Sequence, residues 1–331
     1  MIESNKRNSS SPSALRPLPF ALSPLVSVGL PTFNRAGSLK QAIESVLAQG
    51  YTNLELVISD NASSDQTQSL CADYYARDKR IRYIRQPTNR GATANFMEVL
   101  NHSQGQYFMW LGDDDWLHPS YISRCLETLE ANSDFSVVCG TAKYYEEGKL
   151  AFEGVKLNLA QESPTERVLA FYRQVSDNGT LHGLMRREVL VKVPLQNILA
   201  CDWLLMASLA MKGKILTLKD VLIYRSRLGA SAKWESVVVL YGLSKEIAKK
   251  PFRTITANVF KDILTRSPIY AELGTLGRWS LACKTLLILY KRFSSPLLNE
   301  NSLIALSNKI RYRLKVRTRI RRALLIIDPD R

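Results

Sequence analysis

Asp113-Asp114-Asp115 sets three carboxylates side by side. Like charges a few Å apart at an effective dielectric of about 20 cost on the order of kcal/mol per contact. A divalent cation removes that cost, and hard oxygen ligands suit Mg²⁺ or Mn²⁺, which keep part of their water and bridge to substrate phosphates. The competing reading is a solvated turn ahead of the helix that begins near Pro119. Asp60 is the second acid of interest: it closes the apolar run Leu54–Ser59 and is followed by Asn61-Ala62-Ser63-Ser64-Asp65. A carboxylate there can accept from a nucleobase imide or a ribose hydroxyl; it can also belong to a polar turn in which Asp65 caps the next helix. Asp202, just before Trp203-Leu204-Leu205, is a third. Its type and place fit either a general base or a helix N-cap.

The elements that would carry these acids follow from periodicity. Val26–Leu30, Leu54–Ser59, Ile81–Ile84, Tyr107–Leu111 and Phe135–Cys139 read as buried strands. Between them lie helices: one from a Ser38–Gln41 capping box through Leu47, then Ser69–Arg77, Ala92–Leu100 and Pro119–Ala131, with proline in the first turn. Strands alternating with helices mean βαβ units, hence an α/β fold with a mostly parallel sheet flanked by helices. In such sheets ligands bind beyond the carboxyl ends of the strands. Strand one ends in Pro31-Thr32-Phe33-Asn34-Arg35, strand two in Asp60-Asn61 and strand four in the aspartate triplet, so three polar clusters belong to one rim. Farther on, Glu166–Val175 and Trp203–Met211 read as helices, Thr180–Met185 as a strand, and Ile215–Leu218 and Val221–Tyr224 as two short strands. From Ser236 the pattern is helical, with breaks at Pro251, Ser267-Pro268 and Ser295-Pro296. The organisation expected is a flexible leader over 1–23, an α/β domain over 24–231 and a mainly helical, basic region over 232–331.

Four segments in order resemble family 2 glycosyltransferases of the GT-A fold: Val26–Arg35, Leu54–Asp65, Asn89-Arg90-Gly91-Ala92 with Asn95, and Trp110–Pro119. The resemblance runs from about residue 24 to 231. It implies that Pro31, Thr32, Phe33, Asn34 and Arg35 form the first nucleotide loop, with Phe33 against the base. By the same resemblance Asp60 with Asn61 binds the base, and Arg90 and Asn95 line the nucleotide-sugar pocket. Asp114 would be the main metal carboxylate, assisted by Asp115 or by Asp113 on the donor side. Asp202 would be the catalytic base of an inverting transfer, taking a proton from the acceptor hydroxyl. The implied cofactor is Mg²⁺ or Mn²⁺, the donor a nucleotide sugar (a UDP-sugar first), and the acceptor a glycan or lipid-linked saccharide. The chain departs from the family pattern at Gly112, where many members have the first aspartate. It also departs at Cys201, where a glutamate usually precedes the base, and at Arg227, where histidine is common. His182 and the Tyr224–Arg227 segment resemble the parts beneath the acceptor and beside the diphosphate.

The chain has 331 residues, 46% of them hydrophobic, which excludes a disordered protein and leaves ample material for a core. No apolar run reaches the roughly 20 residues of a membrane-spanning helix. Five scattered cysteines without CxxC spacing, and a start without an apolar signal core, read as cytoplasmic. The net charge of +15 is uneven: eight Lys/Arg fall between Lys309 and Arg322 with no acid among them. That segment can rest on an anionic membrane surface from the cytoplasmic side. A nucleic-acid partner is the rival reading of the tail. A non-catalytic sugar-nucleotide binder is the rival reading of the rim. A sugar-nucleotide pyrophosphorylase is set aside because Pro31–Arg35 holds no glycine. A processive synthase is set aside because Thr275 stands where a glutamine would precede Arg278-Trp279.

Overall fold

The computed structural model of the chain describes residues 23–227, 229 and 233–293. The basic segment 309–322, nearly all of the expected leader and the break at Ser295-Pro296 lie outside the described residues.

The first half is built as its apolar runs require. β1 (Val26–Thr32) is buried at every position, and β2 (Leu54–Asp60) at all but one. They alternate with α1 (Ala36–Leu47), α2 (Thr67–Arg77), β3 (Ile81–Arg85), α3 (Ala92–Asn101) and β4 (Tyr107–Trp110). β1 to β4 are all parallel, with helices on both faces, so near-continuous apolar strands are what the sheet needs. Register fixes the rim. Thr32 pairs with Asp60, so β1 and β2 end level, and Gly29 pairs with Trp110, which carries the aspartates following β4 up beside Thr32.

The second half is mixed. It comprises β5 (Trp116–Leu117), α4 (Tyr121–Ala131), β6 (Phe135–Glu146), β7 (Lys149–Glu153), β8 (Asn158–Leu159), α5 (Pro164–Gln174), β9 (Leu184–Arg186), α6 (Arg187–Leu190), α7 (Cys201–Lys212) and β10 (Lys214–Ser226). The path through the sheet is β3-β2-β1-β4-β9-β6-β10-β5, with β7 beside β6 and β8 beside β10. β6 and β10 are parallel; β9 lies antiparallel between β4 and β6. Then come α8 (Trp234–Leu240), α9 (Glu246–Lys249), α10 (Pro251–Lys261) and α11 (Gly274–Phe293). Ile255 and Val259 of α10 and Leu281 and Leu289 of α11 share one buried cluster with Phe108 and Trp110 beneath the sheet. Among the described residues no helix is long and apolar enough to cross a membrane.

Several local expectations need correction. α1 starts at Ala36, so Ser38 sits inside the first turn and its hydroxyl donates to Arg35 O instead of capping. The Ala36 N–H is met by Asp65 Oδ2 at 3.1 Å, and Asp65 Oδ1 accepts from Thr67 N at the start of α2. One distant carboxylate thus serves two helix starts and displaces the local box. Pro119 lies two residues ahead of α4, not in its first turn. Thr180–Met185 divides into a 3₁₀ turn over Gly179–His182 and the short β9. The two expected strands at 215–218 and 221–224 are one strand, β10, with a bulge where the pairing jumps from Leu218–Gly140 to Leu222–Thr141.

Candidate active site

The strand ends, the first turn of α7 and the C-terminal helices enclose one open cleft of about 2400 Å³. Pro31, Thr32, Phe33, Arg35, Asn61, Arg90, Asn95, Asp113, Asp114, Asp115 and Asp202 all line it, so most of the residues singled out from sequence are brought together. Asn34 and Asp60 are not in the lining.

Asp60 is fully buried with both oxygens engaged. Oδ1 accepts from Ser63 N at 2.8 Å; Oδ2 accepts from Tyr83 OH at 3.0 Å and lies 3.5 Å from Arg85 Nε. It braces the 61–65 loop from below instead of presenting itself to a ligand. Asn34 is left-handed at φ +53°, and it clamps the first loop to the second by accepting from Ser64 N and donating its own N–H to Ser63 Oγ. Asn95 Nδ2 donates to Thr32 O and Ser59 O while its Oδ1 accepts from Ser59 Oγ at 2.6 Å, tying α3 to the ends of β1 and β2. Asn61 Oδ1 accepts from Arg90 N, and Asn61 Nδ2 donates to Asn89 Oδ1, which holds the Arg90 loop against the rim. Gly91, at φ +83°, makes the turn into α3 that this loop requires. Phe33 is 41% exposed, a bare aromatic face at the rim.

The three aspartates have three environments. Thr32 Oγ1 donates to Asp113 Oδ2 at 2.8 Å, yet burial and then the Asp114 charge push the Asp113 carboxyl up to about 7. Asp114 is the most open to the cleft, with Arg35 Nη1 at 3.9 Å; burial and then Asp115 raise its pKa as well. Asp115 is 1% exposed and accepts from Arg225 Nε at 3.0 Å. Gly112 has a steric reason: a Cβ there would stand 2.7 Å from Asp115 Oδ2 and 3.3 Å from Asp114 Oδ1. No aspartate could occupy position 112 while Asp115 keeps this pose.

Arg225 is buried behind the rim, with Nη1 donating to Asn178 Oδ1 at 2.7 Å and Tyr144 OH at 3.0 Å. Burial opposes its charge, but Asp115, Tyr144 and Asp114 together outweigh that and keep it protonated. Arg227 lines the cleft and pairs with Glu146. His182, 3% exposed, has Nδ1 3.0 Å from Trp110 O, which assigns the proton to Nδ1. Burial and then the Arg225 charge lower its pKa to about 3. The ring is therefore neutral, and the 3.6 Å approach of its Nε2 to Asp115 Oδ2 is no ion pair. Nε2 and Asp115 Oδ1 are both buried without a hydrogen-bond partner, so two atoms at the back of the rim lack a donor although Arg225 serves Asp115 Oδ2.

Asp202 is not an N-cap. It lies within α7, whose cap is Ala200, and its Oδ1 accepts from Trp203 N, not from an N–H two or three residues on. Burial raises its pKa. Ala200 is held left-handed at φ +67°, a strained conformation for a non-glycine residue, so the turn that aims Asp202 is imposed by its surroundings. Cys201, in the place of the family glutamate, is pushed up to about 12 by burial and then by the Asp202 charge.

Sequence reasoning missed the support. Asp177 accepts from Val155 N and Gly179 N and positions Asn178 against Arg225; Tyr144 lies under the same guanidinium. The Asp-Asn-Gly turn over 177–179 was its one visible signal. Trp110 is core, and Trp116 stacks on Tyr224 at 5.5 Å outside the cleft lining.

A mixed α/β sheet with an acidic rim at its parallel strand ends and helices over the far side defines a GT-A-type protein. The chain belongs to glycosyl transferase family 2, whose sequence model matches residues 27–193. A GalNAc(5)-diNAcBac-PP-undecaprenol β-1,3-glucosyltransferase of Campylobacter jejuni is 33% identical over 141 residues, 42% of this chain and 45% of that one. The putative colanic acid biosynthesis glycosyl transferase WcaA of Escherichia coli is 31% identical over 155 residues, 47% of this chain and 55% of its own. The chain thus matches about half the length of these relatives. Among solved structures, S. aureus TarS 1-349 in complex with UDP-GlcNAc superposes with a TM-score of 0.58 at 17% identity, covering 83% of this chain and 76% of that one. The mannosyltransferase PcManGT of Pyrobaculum calidifontis, in complex with GDP-Man and Mn²⁺, gives 0.51 at 16% identity, covering 88% and 81%. At these identities the two structures bear on fold alone.

Proposed function

We propose that the protein is an inverting glycosyltransferase that moves a sugar from a nucleotide-diphosphate sugar, a UDP-sugar first among the candidates, to a glycan or lipid-linked acceptor. The observation that carries this reading is a single cleft with an acid at each of two poles: the Asp113–Asp115 rim beside the nucleotide loops, and Asp202 at the start of α7. The two poles suit the two halves of a displacement. The acceptor oxygen attacks the anomeric carbon and passes its proton to Asp202. The bond from that carbon to the phosphate oxygen breaks, and its electron pair leaves with the nucleoside diphosphate.

Asp202 suits the base because burial raises its pKa, and a raised pKa makes the ionised carboxylate a better proton acceptor. Arg35 and Arg90 line the donor side, and the fixed charge of Arg225 behind the rim favours the departing diphosphate without having to reorganise. Asp113 and Asp114 are the residues that would hold Mg²⁺ or Mn²⁺. Mutual repulsion, burial and an unpartnered oxygen on Asp115 make the rim receptive to a cation. Among the described residues no three His, Cys, Asp or Glu side chains converge as a preformed ligand set, so substrate phosphates and water would complete it. When bound, the ion neutralises charge on the leaving diphosphate.

The test is a thermal-shift panel of UDP, GDP, dTDP and CDP, each with Mn²⁺ and with chelator, on the parent protein and on Asp114→Ala. A nucleotide at a hundredfold excess over its Kd stabilises by about 2.7 kcal/mol. One nucleotide should raise the melt only with metal, and Asp114→Ala should abolish the rise. No shift with any nucleotide would remove the donor assignment.

A further inference from the structure

α11 spans 20 residues, about 30 Å of helix. Leu281, Ala282, Thr285 and Leu289 form its buried face. On the other side Leu276 is 86% exposed, Trp279 50%, Leu287 53% and Tyr290 65%. At 100° per residue these four fall within an arc of about 80°, an unbroken apolar stripe on the surface. Eleven large apolar side chains are exposed among the described residues; five belong to α11, and Val239 and Leu240 of α8 add two more. Such a concentration on one wall marks an interaction surface and not scattered exposure.

The charge on α11 itself has one sign. α11 contains four Lys/Arg and no acid. From Gly274 to Arg331 thirteen Lys/Arg stand against three acids, so this end of the chain supplies ten of the fifteen net positive charges. Lys284 and Lys291 are exposed and lie along one flank of the stripe. Leu286 and Tyr290 also line the cleft, as do Lys249, Lys250 and Arg253, so stripe and cleft mouth are continuous.

We propose that this α11 face docks on an anionic lipid surface, its apolar stripe at the level of the headgroups and its cations against lipid phosphates. An apolar stripe flanked by lysines on one side is a pattern of a helix lying in a membrane interface. A second copy of the chain would set the four cations of one α11 against the four of the other, and a nucleic acid would leave Leu276, Trp279 and Leu287 without a partner. The cleft mouth would then open toward the lipid, where a lipid-linked acceptor is held. That last use rests on the transferase reading; the docking itself does not.

Vesicle co-sedimentation of the full chain, without donor or acceptor, tests it. Phosphatidylcholine vesicles with and without 30% phosphatidylglycerol are the probe, run with the parent protein and with Leu276→Ser/Leu287→Ser. Both residues are exposed and outside the cleft lining, so the variant should fold and keep the nucleotide thermal shift. Binding to the anionic vesicles should exceed binding to neutral ones at least tenfold, and the double variant should lose at least tenfold. Equal binding by parent and variant overturns the proposal, because the basic segment 309–322 would then suffice. Equal binding to both vesicle types overturns it too. So does a dimer in sedimentation velocity that the variant dissolves without any vesicle binding. Vesicle binding that depends on the stripe, in a protein that no nucleotide stabilises, would sink the transferase reading and leave the docking surface in place.

Discussion

On the β1–β4 side of the cleft the polar groups are tied to one another, whereas on the α8–α11 side they face outward. Asn34, Asn61, Asn95, Asp60 and Asp65 spend their hydrogen bonds holding three loops in register, and what they leave facing the cleft is Phe33, Arg35, Arg90 and the aspartates. Lys250, Arg253, Leu286 and Tyr290 across the way are exposed. A wall fixed by buried hydrogen bonds suits one rigid ligand, because its ordering cost is met at folding and not at binding. A wall of exposed cations and apolar groups suits a deformable surface that needs no single pose. Asp202 and Arg225 stand between the two walls. Under the proposed function the donor would take the first wall, the acceptor would approach along the second, and the reaction would fall at the seam.

The strongest way to break this division is at the seam. Asp202→Asn should lower turnover about 10²–10⁴-fold while leaving the nucleotide thermal shift untouched, since the donor wall does not use it. In the parent protein turnover should fall as pH drops through the raised Asp202 pKa, because only the ionised carboxylate accepts a proton. Full turnover by the variant would take Asp202 out of the chemistry. The next effect is smaller and tests the donor wall itself. Asn95→Ala leaves Thr32 O, Ser59 O and Ser59 Oγ short of a partner in a buried site, a loss of about 2–3 kcal/mol in denaturant unfolding. It should also weaken nucleotide binding. An unchanged midpoint would mean that the loops are held by packing alone.

How much of this was legible depends on whether the deciding contacts are local. β1 to β4 could be read because a strand buried on both faces is an apolar run and a short helix pattern follows each. The aspartate triplet could be found by residue type, and Asp202 by its place before an apolar helix. The direction of a strand-end side chain could not be read. Successive side chains alternate in direction, so Asp60 was found at the right rim but points beneath it. The box at Ser38 was sound by local rules and lost to Asp65, 29 residues from the N–H it meets. Asn178 meets Arg225 from 47 residues away, out of a stretch without periodicity. The left-handed Ala200 leaves no mark in the sequence, since alanine is not a residue that asks for that conformation. Gly112 looked like a missing ligand and is instead the space that a neighbouring carboxylate requires.

The smallest effect sharpens the claim that the donor wall is strained until a cation arrives. The Asp113 carboxyl titrates at 3.8 when unfolded and at about 7 in the fold, raised by burial and then by Asp114. A raised pKa means the folded state favours the protonated form. The site therefore carries no ionisation penalty below pH 3.8, and the penalty grows as pH rises toward 7 and is constant above it. Asp113→Asn removes the titration while keeping the Thr32 hydroxyl within reach of an acceptor. In chelator the variant should match the parent near pH 4 and exceed it by roughly 1–2 kcal/mol at pH 8, a rise of a few °C in Tm. Mn²⁺ with nucleotide should then stabilise the parent and not the variant, so that the order of the two melting points reverses. If the variant is no more stable than the parent at pH 8, the rim is not strained and the repulsion argument for a metal there loses its basis.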